Sequence, residues 1–341
     1  MSSGWIGEGP HVKEFERQIA ALMGKKYAVS TTSGTVALSL ALMAVGIKPG
    51  DRVVVPDYSF VATANAVKLV GAEPCLVDID YDTLCMSGSA IEDAIAQCKP
   101  KCIIAVHFNA RVMVPEHYTR FGLPVIEDAA AALGVESAGY GIMTCVSFSV
   151  PKIITTGQGG MVLTDDPDLA TSLRQFKDHG RTEHGGIHHH VIGYNFRITE
   201  LTAALGLAQL KKYGYFRSCK KASYEAYDSK LPVVKSDLPW FAMVRVPNLG
   251  ECINHLAEAG IEAKQLYLPI HRQGAYSHPA LSDDLFPNSI KAAETVLTLP
   301  SSATLAPEQA ERIATTLLGV TVPIDPDELA IETQLQSLGY I

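Results

Sequence analysis

A chain of 341 residues with 47% hydrophobic and 19% charged residues has the composition of one large or two unequal globular domains, long enough to bury roughly three quarters of its unfolded surface. Its net charge of −8 is spread along the chain with no basic stripe, which argues against general nucleic-acid binding. No apolar run reaches the roughly 18 residues of a membrane span. The opening MSSGWIGEGP has no basic-then-apolar leader pattern, so the expectation is a soluble, cytoplasmic protein without membrane association.

Residues 5–26 read as a helix with Val12, Phe15, Ile19, Ala20 and Leu22 on one face. Tyr27 to Thr31 reads as a strand, after which Ser33-Gly34-Thr35 opens a helix that is apolar nearly all round and must therefore be buried. Ser33 or Thr32 is its N-cap. The free amides of Gly34 and Thr35, at the positive end of the helix dipole, would seat a phosphate, although capping alone also accounts for such a turn. The pattern then alternates. Strands are expected at 52–56, 74–79, 102–106 and 124–127, and helices at 60–69, 89–98 and 115–121. Continuous apolar runs such as VVV and CIIAV between helices point to a parallel sheet covered on both faces, with ligands beyond the strand C-terminal ends. Those ends carry Asp57 to Phe60, His107 and Asp128.

A β-type run through Cys145 and Val150 then delivers Lys152 into a Thr-Thr-Gly-Gln-Gly-Gly turn, holding an amine where backbone can approach a ligand closely, as a Schiff-base lysine requires. A strand at 161–164 and a helix at 167–177 follow. The polar loop 178–194 holds five histidines, but three of them are consecutive and cannot all face one ion, so no metal site is expected. The seven cysteines, odd in number and mostly within apolar runs, read as reduced core thiols. Thr199 caps a helix rich in small residues, and a second helix runs to about Lys230. From Leu231 the pattern changes to a smaller α+β unit, with strands at 241–246, 262–267 and 298–300 and helices at 249–259 and 307–318. The tail PDELAIETQLQSLGYI reads as a short amphipathic segment. The domain expectation is 1–230 and 231–341.

The motifs WIGEGPHVKEFE, TTSGTVALSLAL, SFVATANAV, VIEDAA, SFSVPKIITTGQGG and GYNFRITELTAALGLAQL, in this order from about Trp5 to about Leu318, resemble those of the DegT/DnrJ-type sugar-nucleotide aminotransferases, and most the perosamine-synthase type. The resemblance implies an α/β fold of the aspartate-aminotransferase kind (PLP fold type I), with a large mostly parallel-sheet domain and a smaller α+β C-terminal domain. It implies pyridoxal 5′-phosphate carried on Lys152, with Asp128 keeping the pyridine nitrogen protonated. By the same resemblance Phe60 stacks on the cofactor ring, and Ser33, Gly34, Thr35 and Ser147 hold the phosphate. Asn195 reaches the phosphate from the other subunit of a homodimer with shared sites. The implied reaction moves an amino group from L-glutamate to a nucleotide-linked keto sugar, most closely a 4-keto-6-deoxy sugar. A keto-cyclitol substrate, or a non-catalytic ligand-binding member of the fold, are the alternatives. Against the family pattern, Ala131 stands where glutamine is usual, Leu133 where histidine is common, and Pro151 precedes the lysine. The retained lysine disfavours the related dehydratases that carry histidine there.

Overall fold

The structure is a computed structural model, which describes residues 4–136, 138–182 and 186–319. The expected tail segment and His184 lie outside the described residues. Helix α1 (Pro10–Leu22) starts on a proline, whose fixed φ suits a first helical turn, and buries Val12, Phe15, Ile19 and Ala20; residues 5–9, expected as helix, precede it without helical structure. Strand β1 (Tyr27–Thr31) leads into α2 (Gly34–Ala44), whose Ser33 side chain accepts the Val36 N–H at 3.2 Å. Then come β2 (Arg52–Pro56), α3 (Ala62–Leu69), β3 (Glu73–Val77), α4 (Gly88–Cys98), β4 (Cys102–Val106), α5 (Glu116–Thr119), β5 (Val125–Asp128), β6 (Met143–Ser147), β7 (Gly160–Thr164) and α6 (Pro167–Lys177). Helices α7 (Glu200–Leu210) and α8 (Tyr213–Asp228) complete the first part.

Seven strands form one sheet in the order β1-β7-β6-β5-β4-β2-β3. All are parallel except β7, which runs antiparallel to both β1 and β6. Every residue of β4, β5, β6 and β7 is buried, because helices cover both faces. Since β7 alone is reversed, the C-terminal ends of β1, β2, β4, β5 and β6 share one rim with the first residue of β7.

The second part has β8 (Ala242–Arg245), α9 (Leu249–Glu258), β9 (Lys264–Gln265), α10 (Pro287–Thr295), β10 (Val296–Leu299) and α11 (Pro307–Leu318). Its three strands are antiparallel in the order β8-β10-β9. The expected strand at 262–267 shrinks to two residues. Helix α10 has no counterpart in the sequence reading, because its buried positions, Ser289, Ala292 and Ala293, are small and leave no apolar stripe. We keep the division at residues 230 and 231 as a proposal. Helix α8 contributes Tyr213 to the core of the first part and Ala226 and Tyr227 to that of the second, so it ties the two together. Met243, Ala292 and Val296 of the second part share a core with Tyr58 and Phe108, which lie beside the site rim.

Not all the cysteines are reduced core thiols, as their apolar settings had suggested. Cys75 on β3 and Cys98 at the end of α4 form a disulfide across a Cα separation of 6.7 Å. The helix returns alongside the strand it follows and brings the two sulfurs together, which spacing along the chain does not reveal. Cys85, Cys102, Cys145 and Cys252 are free and buried.

Glu127 fastens the middle of the large sheet. It is fully buried and accepts hydrogen bonds from the Tyr118 hydroxyl (2.8 Å), the Tyr140 and Gly141 amides (2.8 and 3.0 Å) and the Thr144 hydroxyl (3.0 Å). Burial alone would raise its pKa, but the interactions with His107, Tyr118 and Gly141 outweigh it and hold the carboxyl at about 2, against an ordinary 4.5. A carboxylate whose folded pKa is depressed contributes stability that is present above its unfolded pKa and lost as pH falls toward the folded value. Unfolding free energy should therefore drop between about pH 4.5 and 2 by roughly 3 kcal/mol on this account. Between pH 5 and pH 3, denaturant titrations should show a fall in unfolding free energy that is smaller for Glu127→Gln than for the native chain by about 2 kcal/mol, the remainder coming from other carboxylates held low, such as Glu16 and Glu200.

Candidate active site

Residues far apart in sequence meet at the rim because of one row of strand register. Gly160, the first residue of β7, is paired with Thr31 on one side and with Ser147 on the other. A Cβ on Gly160 would lie 2.3 Å from the Ser33 carbonyl oxygen and 2.7 Å from the Gly34 nitrogen. A Cβ on Gly34 would lie 2.9 Å from the Ser147 Cβ. Two glycines thus let the N-terminus of α2 sit directly on the β6–β7 turn. As the first helical residues, Gly34 and Thr35 have N–H groups with no acceptor in their own helix. The Ser147 hydroxyl lies beside them and bonds to Ser149 Oγ at 3.3 Å.

Lys152 stands in the same turn. Burial lowers its pKa from 10.5 to about 8, while the nearby Asp128 carboxylate works in the opposite direction. Its amine has no hydrogen-bond acceptor among the described residues and rests 3.6 Å from the centroid of the Trp240 ring. Two buried lysines differ from this half-buried one. The Lys177 amine is bonded to Glu8, Glu16 and the Ser30 carbonyl, and the Lys220 amine to the carbonyls of Trp240 (2.8 Å) and Ser301 (2.6 Å). Those two amines are committed to structure, whereas that of Lys152 is available for chemistry.

The acidic rim residues divide in the same way. Asp57 accepts the His271 N–H at 2.9 Å and contacts the His271 ring Nδ1 at 2.7 Å, so it anchors the loop after β9. Asp128, 8% exposed at the end of β5, accepts among the described residues only the Thr63 hydroxyl (2.8 Å) and the Ala130 N–H (3.1 Å), leaving lone pairs for a further donor. His107, read as a rim residue, is buried: its Nδ1 accepts the Met113 N–H at 3.3 Å and its Nε2 lies 3.6 Å from Glu127.

Phe60 is 59% exposed at the rim, with Tyr267 at 5.8 Å between ring centroids. Thr63, Tyr267 and Trp240 contact the candidate site residues Asp128, Phe60 and Lys152, and the sequence reading missed all three. Thr63 follows Phe60 by one helical turn and was within reach of periodicity. Trp240 and Tyr267 arrive from the second part and carry no local signal. Asn195 is exposed; its side-chain oxygen accepts from Arg197 Nε at 3.0 Å. The neighbouring Phe196 carbonyl accepts the Thr32 N–H at 3.1 Å, so this segment is stitched to the residue before the α2 cap. Nothing among the described residues joins the Asn195 side chain to Lys152 or Ser147.

The model of the DegT/DnrJ/EryC1/StrS aminotransferase family matches residues 1–318, and within that span the free lysine, the carboxylate and the helix N-terminus converge. The chain belongs to this family. It is 36% identical to the GDP-perosamine synthase of Escherichia coli O157:H7, over 91% of this chain and 90% of that protein. It is 33% identical to the GDP-perosamine synthase of Caulobacter vibrioides, over 94% and 93%. The crystal structure of S. venezuelae DesV in complex with a ketimine intermediate superimposes with a TM-score of 0.87 at 30% identity, covering 93% of this chain and 90% of that one. The protein is a pyridoxal-phosphate-dependent aminotransferase with the α/β fold that its motifs implied.

The DegT/DnrJ site fits that cofactor. It offers an unbonded amine, a carboxylate with spare acceptor capacity, an exposed aromatic face and a helix N-terminus brought close by glycine. Two departures from the family pattern also find a place. Leu133 is 3% exposed in the core around Phe15 and Phe148, and Ala131 is half-buried three residues beyond Asp128.

Proposed function

We propose that this aminotransferase transfers an amino group from L-glutamate to the keto group of a nucleotide-linked deoxysugar, with a 4-keto-6-deoxy sugar as acceptor. The observation that carries the enzymatic reading is the half-buried Lys152 amine at the rim, which, unlike those of Lys177 and Lys220, is held by no acceptor among the described residues. The similarity to two GDP-perosamine synthases supports the sugar class.

In this reading the Lys152 Nζ holds the cofactor and, once free, takes up and returns a proton at the reacting carbon. With a pKa of about 8, its neutral form is accessible near physiological pH. Pyridoxal phosphate, when bound, supplies an electron sink. Asp128 accepts a hydrogen bond from the ring nitrogen and favours its protonated form, with Thr63 fixing the carboxylate. Phe60 offers its open face to the ring. The Gly34 and Thr35 amides and the Ser33 and Ser147 hydroxyls receive the phosphate, with the α2 dipole adding to the attraction. The reading includes a homodimer in which Asn195 of one protomer serves the site of its partner, and a cytoplasmic location. The exposure of Asn195, Ile192, Tyr194, Leu201 and Leu205 on the adjoining surface supports the dimer.

Incubating the protein with L-glutamate and a panel of nucleotide 3-keto and 4-keto sugars, with detection by mass spectrometry, should yield an amino sugar from a 4-keto-6-deoxy substrate. Amine formed solely from a nucleotide-free cyclitol ketone, or from no acceptor, contradicts the proposal.

Subunit sharing has its own test. A charge-assisted bond to phosphate is worth roughly 1.5 to 3 kcal/mol, so Asn195→Ala should weaken the site markedly. Mixing Lys152→Ala with Asn195→Ala protein should give heterodimers with one intact and one doubly damaged site, and activity above either parent. Demonstrated subunit exchange without recovered activity would remove the shared site.

A further inference from the structure

Trp240 makes two separate contacts to adjacent residues of the lysine turn. Its indole N–H donates to the Pro151 carbonyl at 2.7 Å, and its ring face lies 3.6 Å from the Lys152 ammonium nitrogen. The second contact is within cation–π range, and tryptophan gives the strongest such face. The first fixes which way the ring points and also restrains the peptide that carries the lysine.

The backbone around Trp240 is itself held on both sides. Its carbonyl accepts from the buried Lys220 ammonium, which also bonds the Ser301 carbonyl. The next residue, Phe241, has its N–H bound to the Asn109 side-chain oxygen and its carbonyl bound to the Asn109 side-chain nitrogen, both at 2.8 Å. Asn109 adopts a left-handed conformation, with φ of 51°, in the segment after β4. The indole is thus placed by a clamp whose parts come from α8, from the β4 end and from the turn after β10. A residue so fixed and aimed at a single amine has a role beyond covering the site.

We propose that Trp240 is a positioning residue for Lys152, its ring holding the free ammonium whenever the amine is not engaged by the cofactor, and its N–H orienting the Pro151–Lys152 peptide. The catalytic meaning of this contact rests on the reading of Lys152 given above. The contact itself can be measured without turnover, so the two can fail separately.

The chain has two tryptophans, Trp5 and Trp240, so Trp5→Phe leaves Trp240 as the sole reporter. In the full-length protein freed of cofactor, Trp240 emission should change in one step as the ammonium loses its proton. The step should vanish in Lys152→Met and on reloading with pyridoxal phosphate. Competitive acylation of Lys152, followed across pH by mass spectrometry, supplies the second readout. Trp240→Leu keeps an apolar cover but removes the π face, so Lys152 should lose its proton at a pH lower by about half a unit or more. Trp240→Phe should restore most of that shift. A Trp240 that served merely as cover would, when shortened to leucine, admit water and raise the midpoint. An emission step independent of Lys152, or a Trp240→Leu midpoint that is unchanged or higher, overturns the proposal.

Discussion

Everything at the site depends on how closely the backbone of the β6–β7 turn approaches the N-terminus of α2. Gly160 lies between Thr31 and Ser147 in register and leaves no room for a Cβ against Ser33 and Gly34. Reversal of β7 places the start of that strand, rather than its end, on the rim where β1, β5 and β6 terminate. The same reversal sets the turn containing Lys152 beside the helix whose free amides and dipole attract an anion. Asp128 follows from the neighbouring pairing, since its partner on β6 is Cys145, two residues before Ser147. One row of hydrogen-bonded strands therefore sets the relative places of the amine, the carboxylate and the N-terminus of α2.

The second part of the chain adds positioning rather than framework. Asp57 grips His271, and Asn109 and Lys220 grip the segment that carries Trp240, so the loops of the small unit are fixed to the rim of the large one. The lysines show how environment sorts one residue type into different tasks. Carboxylates surround Lys177, carbonyls surround Lys220, and an aromatic face receives Lys152. A buried amine whose neighbours satisfy it is structural, and a half-buried one left without an acceptor at the rim can react.

Much of this was legible in the residues. Strands β2 and β4 and helices α6 and α11 lie where the pattern of apolar residues placed them, because local patterning and burial agree there. Orientation was less legible: GMVLT is buried on both faces, so its apolar run reads the same in either direction. The contacts that decide which rim residues are chemical were not legible at all. Asp57, His107 and Asp128 each stand at a strand end, and only tertiary partners separate the two that are structurally occupied from the one with spare lone pairs. Trp240 and the Cys75–Cys98 bond escaped for the same reason, since neither leaves a periodic or local signal.

If the unbonded amine of Lys152 carries the cofactor, the bond it forms can be fixed in place and located. Borohydride reduction of the cofactor-loaded protein, followed by proteolysis and mass spectrometry, tests this directly. A stable pyridoxyl group is expected on the peptide containing Pro151 and Lys152. A label on Lys177, Lys220 or any other lysine, or no label on a protein that demonstrably binds pyridoxal phosphate, would contradict it.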